Sequence, residues 1–371
     1  MTGAAPSLRT DGLFTIDFAR IPLEPFSEMP PELRTERFFR VNELTNAYVD
    51  ARTRDVVAQM GVPAPVAADR SNVWQWLQRK LACAGKLTPG AVELRRLILE
   101  ELPSLGPALD LIDAAFEGYP GFLRGERTGS SILFDPGAPE LWNSYFSNAN
   151  PLYAAGNILA AHAAALALDD QGGVKSSLRI LEVGAGCGSA AEALIARLAG
   201  RIESYRLTDI SPGFLRKARE RLDVLEAAGP IARTYQLLDL NRPSSTWRLP
   251  ALEVDLIHAV NVLHSVRDVV ATLGGLGELL APGGLLVLGE CIRPARGQPV
   301  HPEFVFQLLD EFRNVTLDPL TRPEPGFLDA ASWRASLEQA GFHGIRFVPD
   351  FVKAVAAYPA HSLGAITARR D

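Results

Sequence analysis

Cysteine is scarce in this chain of 371 residues: Cys83, Cys187 and Cys291 are the whole supply, far apart and odd in number. That excludes a disulfide framework and a closely spaced thiolate metal site, so reduced thiols in a cytoplasm, and no metal, are expected. Surplus positive charge is lacking too. Lys+Arg 37 against Asp+Glu 43 leaves a net charge of -6 and a pI near 5.6. That is the wrong sign for affinity drawn from neutralising phosphates, and nucleic acid is not an expected partner. No apolar run approaches the ~20 residues that span a bilayer, and the N-terminus lacks the basic-then-apolar layout of a signal peptide. A soluble, untargeted protein without a membrane partner is the expectation.

What is present is ordinary globular material, 47% hydrophobic and 22% charged, in a length that suits one core with a substantial appendage or two domains. Residues 1–30 hold Pro22, Pro25 and Pro30 among mixed residues and read as an extended arm. Helical spacing then dominates: Phe38, Val41, Leu44 and Tyr48 share one face, and Val73, Trp76 and Leu77 mark a second amphipathic segment. Segments 91–101 and 105–116 continue this pattern. The stretch 117–137, with glycines at 118, 121, 125 and 129, reads as a turn-rich loop able to hinge. An alanine-rich helix over 142–168 closes in a turn at 169–173, and the boundary between parts falls near residue 150. The expected organisation is an arm (1–30), a helical lid over the substrate (31–150) and a ligand-binding core (151–371).

In the core, short apolar runs at 178–183, 205–208, 234–238, 254–259 and 285–288 alternate with helical segments. This is the pattern of an α/β, doubly wound, mostly parallel sheet covered on both faces. Ser211 and Pro212 open one helix, expected to run to Gly229, and Asp268 opens another that stops at the Ala281-Pro282-Gly283-Gly284 turn.

The strongest chemical signal is LRILEVGAGCGSAAEAL from Leu178: an apolar strand, the acid Glu182, then Gly184, Gly186 and Gly188, then a helix. Such glycines let the backbone turn tightly and approach a ligand with no side chain in the way. A nicotinamide-binding turn uses GxGxxG at the same place; here the third glycine falls at 188 and Ser189 follows. That departure fits the loop that wraps the methionine half of S-adenosylmethionine, a ligand with no phosphate. Asp209, at the end of the second strand, can accept both ribose hydroxyls or cap the turn before Ser211. Asp239 ends the third strand, where an acid can accept the adenine amine while Leu240 packs on the ring; a plain loop carboxylate is its other role.

LRILEVGAGCG, YRLTDISPGFLRKA from Tyr205, YQLLDL from Tyr235, NVLHSVRDV from Asn261 and LLAPGGLLVLGE from Leu279 together resemble the methyltransferase domains of polyketide synthases and hybrid polyketide and peptide synthases. These belong to the class I S-adenosylmethionine-dependent methyltransferases. The resemblance covers the chain from about residue 140 onward, with YFSNANPLYAAGN from Tyr145 the one match in the helical part. It implies a seven-stranded Rossmann-like core, a cofactor site that includes Asn261, and an acyl acceptor carried on a carrier protein. The chain itself would be part of, or dock to, a larger synthase.

His264 follows one strand and Glu290 ends the next, so both reach the rim where open parallel sheets bind ligands. Histidine has the ordinary pKa of a general base near neutrality, and a neighbouring carboxylate fixes its tautomer and stabilises the imidazolium. The resembling family uses a His and an acid at these positions as that dyad. Removing a proton from an acceptor carbon, or from an oxygen, prepares it for the methyl group; a freestanding enzyme that methylates a small-molecule oxygen is the alternative. Tyr145, Phe146, Tyr153, Phe327 and Trp333 are candidates to line the acceptor pocket, with core packing as the competing role. The other five histidines are expected to be structural or surface residues, and Cys187 a small residue near the cofactor. A nicotinamide oxidoreductase fails at Ser189, and an inactive cofactor-binding scaffold would not need the dyad.

Overall fold

The computed structural model describes residues 18–84, 89–134, 140–170, 177–225, 231–249 and 254–370. Six helices form most of the lid: α1 (Glu36–Met60), α2 (Ser71–Cys83), α3 (Ala91–Glu101), α4 (Gly106–Leu123), α5 (Gly129–Leu133) and α6 (Glu140–Tyr145). The Thr35 hydroxyl caps α1 by accepting the Phe38 N–H, and its apolar face buries Leu44, Tyr48 and Val56 against α2, α3 and α4. Asp113 of α4 cross-links three of these helices, accepting from Tyr48 Oη (2.5 Å), Arg52 Nε (2.8 Å) and Arg95 Nη1 (3.0 Å).

The core begins with α7 (Pro151–Asp169) and continues β1 (Leu178–Val183), α8 (Ser189–Arg197), β2 (Ile202–Asp209), α9 (Pro212–Asp223), β3 (Ala232–Leu237), β4 (Val254–Val260), α10 (Val269–Gly277) and β5 (Leu280–Cys291). Then come α11 (Glu303–Phe306), α12 (Asp310–Arg313), α13 (Ala330–Gln339), β6 (His343–Val348), α14 (Phe351–Ala357) and β7 (Leu363–Arg369). The seven strands lie in the order β3-β2-β1-β4-β5-β7-β6. All are parallel from β1 to β5, and β7 runs antiparallel between β5 and β6. Every residue of β4 is buried, as a strand with both faces covered requires. Helices α7, α8 and α9 cover one face, α10 and α13 the other.

Several expectations need correction. The alanine-rich stretch is one 19-residue helix, long and apolar enough to cross a membrane by composition, yet 67% of that window is buried inside the protein. Its small side chains let it press on β5: a Cβ at Gly289 would stand 2.9 Å from Ala160 Cβ. Residues 117–134 are no hinge loop. Helix α4 runs through Gly118, where a Cβ would meet Ile132 at 2.4 Å, so this glycine serves close packing against α5; 135–137 lie outside the described residues.

Residues 18–33 are not extended either. They make three single-turn 3-10 helices, and Phe26 and Leu33 of these, with Met29 between them, are buried against α7 and β7; residues 1–17 lie outside the described residues. The Pro-Gly-Gly turn is absorbed into β5 as an irregularity, with Leu280 pairing Val254 and Leu285 pairing Leu256. Helix α9 stops at Asp223, and Gly229, like the turn at 171–173, lies outside the described residues. Strands β6 and β7 were not read from the sequence. The lid also has a late component: Phe304, Val305 and Leu308, from the segment between β5 and α13, complete its apolar core. Glu303 fastens that segment, accepting from Trp76 Nε1 of the lid (2.7 Å) and from buried Arg293 (Nε, 3.1 Å).

Candidate active site

The glycine loop leaves β1 with left-handed backbone at Gly184 (φ 64), Gly186 (φ 51) and Gly188 (φ 79), a region L side chains avoid. A Cβ on Gly184 would stand 2.3 Å from Val262, whereas the space above Gly186 is open, a cradle for a ligand. Asp209 fixes the loop: its carboxylate accepts the Gly186 N–H (2.9 Å) and the Ser211 N–H (2.8 Å). Burial raises its pKa, and those amides act against the rise. Thus Asp209 does serve the turn before Ser211, with its further lone pairs available to a ribose diol.

Glu182 is buried beneath the loop, accepting from the Tyr205 hydroxyl and paired with His258 Nδ1 at 3.0 Å. Its Oε1 has no partner in the structure, and an orphaned carboxylate oxygen suits a donor or cationic ligand group. Asp239 does not end β3 as expected but stands just past it, the strand stopping at Leu237; it accepts the Asn241 N–H (3.0 Å) and pairs with Arg242 (3.4 Å), its side chain 31% exposed. Leu240 beside it is half-buried against the core. Asn261 holds a left-handed φ of 55, rare for a residue other than glycine, and donates its N–H to Gly289 O at 2.7 Å. An open loop, an acid ending β2, another just past β3 and an orphaned carboxylate oxygen fit S-adenosylmethionine.

At the next strands the structure brings His264 and Glu290 together. His264 Nδ1 lies 2.7 Å from Glu290 Oε2, with the side chains 4% and 0% exposed. The other carboxylate oxygen accepts the Leu263 N–H (3.0 Å) and the Val262 N–H (3.3 Å). Since a carboxylate accepts, Nδ1 carries the proton and Nε2 the lone pair. Phe327 (4.6 Å between centroids), Phe312 (5.9 Å) and Phe306 (6.2 Å) surround the imidazole. Sequence reasoning missed Arg322, 1% exposed, whose guanidinium donates to the carbonyls of His264 and Val266 (2.7 Å) and so holds the turn that carries the histidine.

Phe306 and Phe327 also line a cavity of about 340 Å³ between lid and core, together with Tyr145, Phe146, Tyr153 and Asn261. Four of the five candidate aromatics therefore border it. Trp333 does not: it is fully buried in the core on the α10 and α13 face of the sheet. Burial pushes the Tyr145 and Tyr153 hydroxyls well above their ordinary pKa, which keeps both as neutral hydrogen-bonding groups. The segment from Tyr145 joins the two halves of the site. Asn148 donates to Ser189 O and Glu192 Oε2 (2.9 Å each) at the start of α8, and Asn157 donates to Asn148 (2.8 Å).

The Cys187 thiol, its pKa pushed up by burial against the opposing charges of Arg221 and Lys217, lies 3.6 Å from Asn143 Oδ1. Three histidines expected to be structural or surface groups are buried, His258 on Glu182 and His301 and His361 on the cavity.

Comparison with known proteins bears on the family and the fold. Residues 181–286 match the family described as a methyltransferase domain. The chain is 30% identical over 261 residues to the non-reducing polyketide synthase dpmpA of Macrophomina phaseolina, a match that takes in 69% of this chain and 11% of that protein. It is 30% identical over 286 residues to the highly reducing polyketide synthase valA of Aspergillus terreus, 72% of this chain and 10% of that one. The chain thus spans about a tenth of the length of these relatives. In fold it is similar to the CurJ carbon methyltransferase, with a TM-score of 0.71, 22% identity and 93% and 95% of the two chains covered. The trans-methyltransferase CalH, solved with SAH, gives 0.63, 20%, 94% and 95%.

In fold the chain is similar to the class I S-adenosylmethionine-dependent methyltransferases. Within that class the chain resembles the methyltransferase domains of polyketide synthases.

Proposed function

We propose that this protein methylates the alpha carbon of a beta-ketoacyl thioester presented by a carrier protein, in polyketide-type biosynthesis in a cytoplasm. The observation that carries the reading is the His264–Glu290 pair, 2.7 Å apart and shielded from water, its imidazole packed against Phe306 and Phe327, two rings that line the aromatic cavity. S-adenosylmethionine, when bound, supplies an activated methyl group.

The chain's own residues then have two tasks, to align the acceptor with that group and to take a proton from it. His264 takes the proton on Nε2, while Glu290 on Nδ1 stabilises the imidazolium that results. Two flanking carbonyls acidify the alpha proton of a beta-ketoacyl thioester, so a neutral imidazole is a sufficient base. Tyr145 and Tyr153, kept protonated, can donate to the enolate oxygen. The carrier-bound acceptor is favoured because curated relatives include whole polyketide synthases that contain a stretch like this chain.

The test is incubation with methyl-labelled S-adenosylmethionine and acetoacetyl-loaded carrier protein, followed by intact-mass and fragment analysis. One labelled methyl on the alpha carbon is the expected result. A methyl on oxygen would move the protein to ether formation, and an unmodified carrier with cofactor bound would overturn the acyl-carrier reading.

A further inference from the structure

His301 and His361 both line the cavity, are 6% and 1% exposed, and in each the Nε2 atom has no hydrogen-bond partner in the structure. Neither takes part in the proton transfer assigned to His264. A buried ring nitrogen without a partner is rare in a native protein and marks a group waiting for water or a ligand. Much of the remaining wall is apolar, including Leu33, Phe38, Val41 and Leu363.

The ring of His361 is wedged against Phe26 (5.3 Å between centroids) and Phe351 (5.6 Å). A backbone hydrogen bond at Leu363 raises its pKa, the direction expected when the imidazole donates. With Nε2 unpartnered, that donor is Nδ1, and Nε2 is left as an acceptor. Burial holds the pKa of His361 down at about 4 and that of His301 at about 3, so both rings are neutral. A neutral ring nitrogen in an apolar wall, acceptor in His361 and acceptor or donor by tautomer in His301, selects for a hydroxyl, which can donate or accept, over a hydrocarbon, which leaves it unpaired.

Resting on the reading of this cavity as the acceptor pocket, we infer that His301 and His361 form a recognition subsite for a hydroxyl group on the acyl chain, beyond the carbons that react. The substrate class is therefore a hydroxylated beta-ketoacyl thioester rather than a fully deoxygenated one. The cavity, about 340 Å³, is at the small end of the range of small-ligand pockets.

Calorimetric titration of the full chain, saturated with S-adenosylhomocysteine, tests this with pantetheine thioesters of 3-oxohexanoate and 3-oxooctanoate, each with and without a hydroxyl at carbon 5 or carbon 7 where the chain has one. At least one hydroxylated chain should bind about tenfold more tightly than its parent. His361→Leu and His301→Leu should shrink that preference, the ratio of the two affinities, toward unity. His361→Gln, which keeps an acceptor, should restore part of it. Equal affinity of wild-type protein for every hydroxylated chain and its parent means that water satisfies both nitrogens, and overturns the subsite without recourse to any variant. Methyl transfer to the same thioesters is scored separately: a hydroxyl preference in binding without methyl gain would count against the proposed reaction and leave the subsite standing.

Discussion

The two halves of the site are built from different materials. Around β1, β2 and β3 the cofactor half consists of backbone turns and strand-end acids, each made within a few residues of its own strand: the loop 184–188 after β1, Asp209 ending β2, Asp239 just past β3. Around β4, β5 and the lid, the acceptor half is assembled from the whole chain. It takes Tyr145 and Tyr153 from the joint with the lid, Phe306 and Phe327 from the late segment and His361 from the approach to β7, with His264 from the turn after β4 and Glu290 from β5 behind the two phenylalanines. Under the proposed function, the first half would bind the cofactor through main-chain shape that any acceptor chemistry can reuse. The second would set what is methylated, and its parts can vary one by one.

If that division is real, damage to the first half should abolish cofactor binding, and damage to the second should spare it. The largest effect is expected from Gly184→Val. The branched side chain must fit where a Cβ already comes within 2.3 Å of Val262, on backbone at φ 64. Calorimetry should find no measurable S-adenosylhomocysteine affinity.

Glu290→Gln comes next. An amide can still accept the Leu263 N–H, but its NH2 group then faces Nδ1 and drives the histidine proton to Nε2, which removes the base. Turnover should fall by roughly 10² to 10⁴ with cofactor affinity unchanged; wild-type turnover would remove Glu290 from the mechanism.

The acceptor half also carries a pH signature. His301 and His361 are held below their ordinary pKa by burial, at about 3 and about 4. Between those values and ~6.5 the unfolded chain binds protons that the folded one refuses, so stability is full above pH ~6.5 and falls as the pH drops. At pH 5 each histidine costs about 2 kcal/mol. Thermal unfolding from pH 7.5 to 5 should show the decline, and His361→Phe should make it shallower.

Smallest is Asp239→Asn. A half-exposed carboxylate that accepts an adenine amine contributes on the order of 1 kcal/mol, so cofactor affinity should fall only a few-fold. No change would assign Asp239 to its turn with Asn241 and Arg242.

This contrast also explains what could be read in advance. Five parallel strands, the glycine loop, Ser211 and Asp268 as helix caps and the meeting of His264 with Glu290 were legible, because each depends on residue type at short spacing along a known topology. The caps are as expected: Ser211 accepts the Phe214 N–H and Asp268 the Ala271 N–H. The late component of the lid was not legible, since Phe304 and Leu308 reach the lid core only through a fold that returns about 200 residues later. Nor was the burial of His301 and His361, which show no partner in sequence because they have none in the structure for Nε2. The glycines at 118 and 129 misled for a related reason. Lack of a side chain reads as a turn locally, while here it allows close approach, with Leu308 O 1.7 Å from where a Gly129 Cβ would stand.

The most direct test of the division of labour is a paired measurement on His264→Ala: affinity for S-adenosylhomocysteine and the rate of methyl transfer to acetoacetyl carrier protein, from one preparation. The expected result is affinity within twofold of wild type and a rate lower by roughly 10² to 10⁴. A rate equal to wild type, or an affinity that collapses along with the rate, would contradict the claim that binding resides in one half of the site and proton transfer in the other.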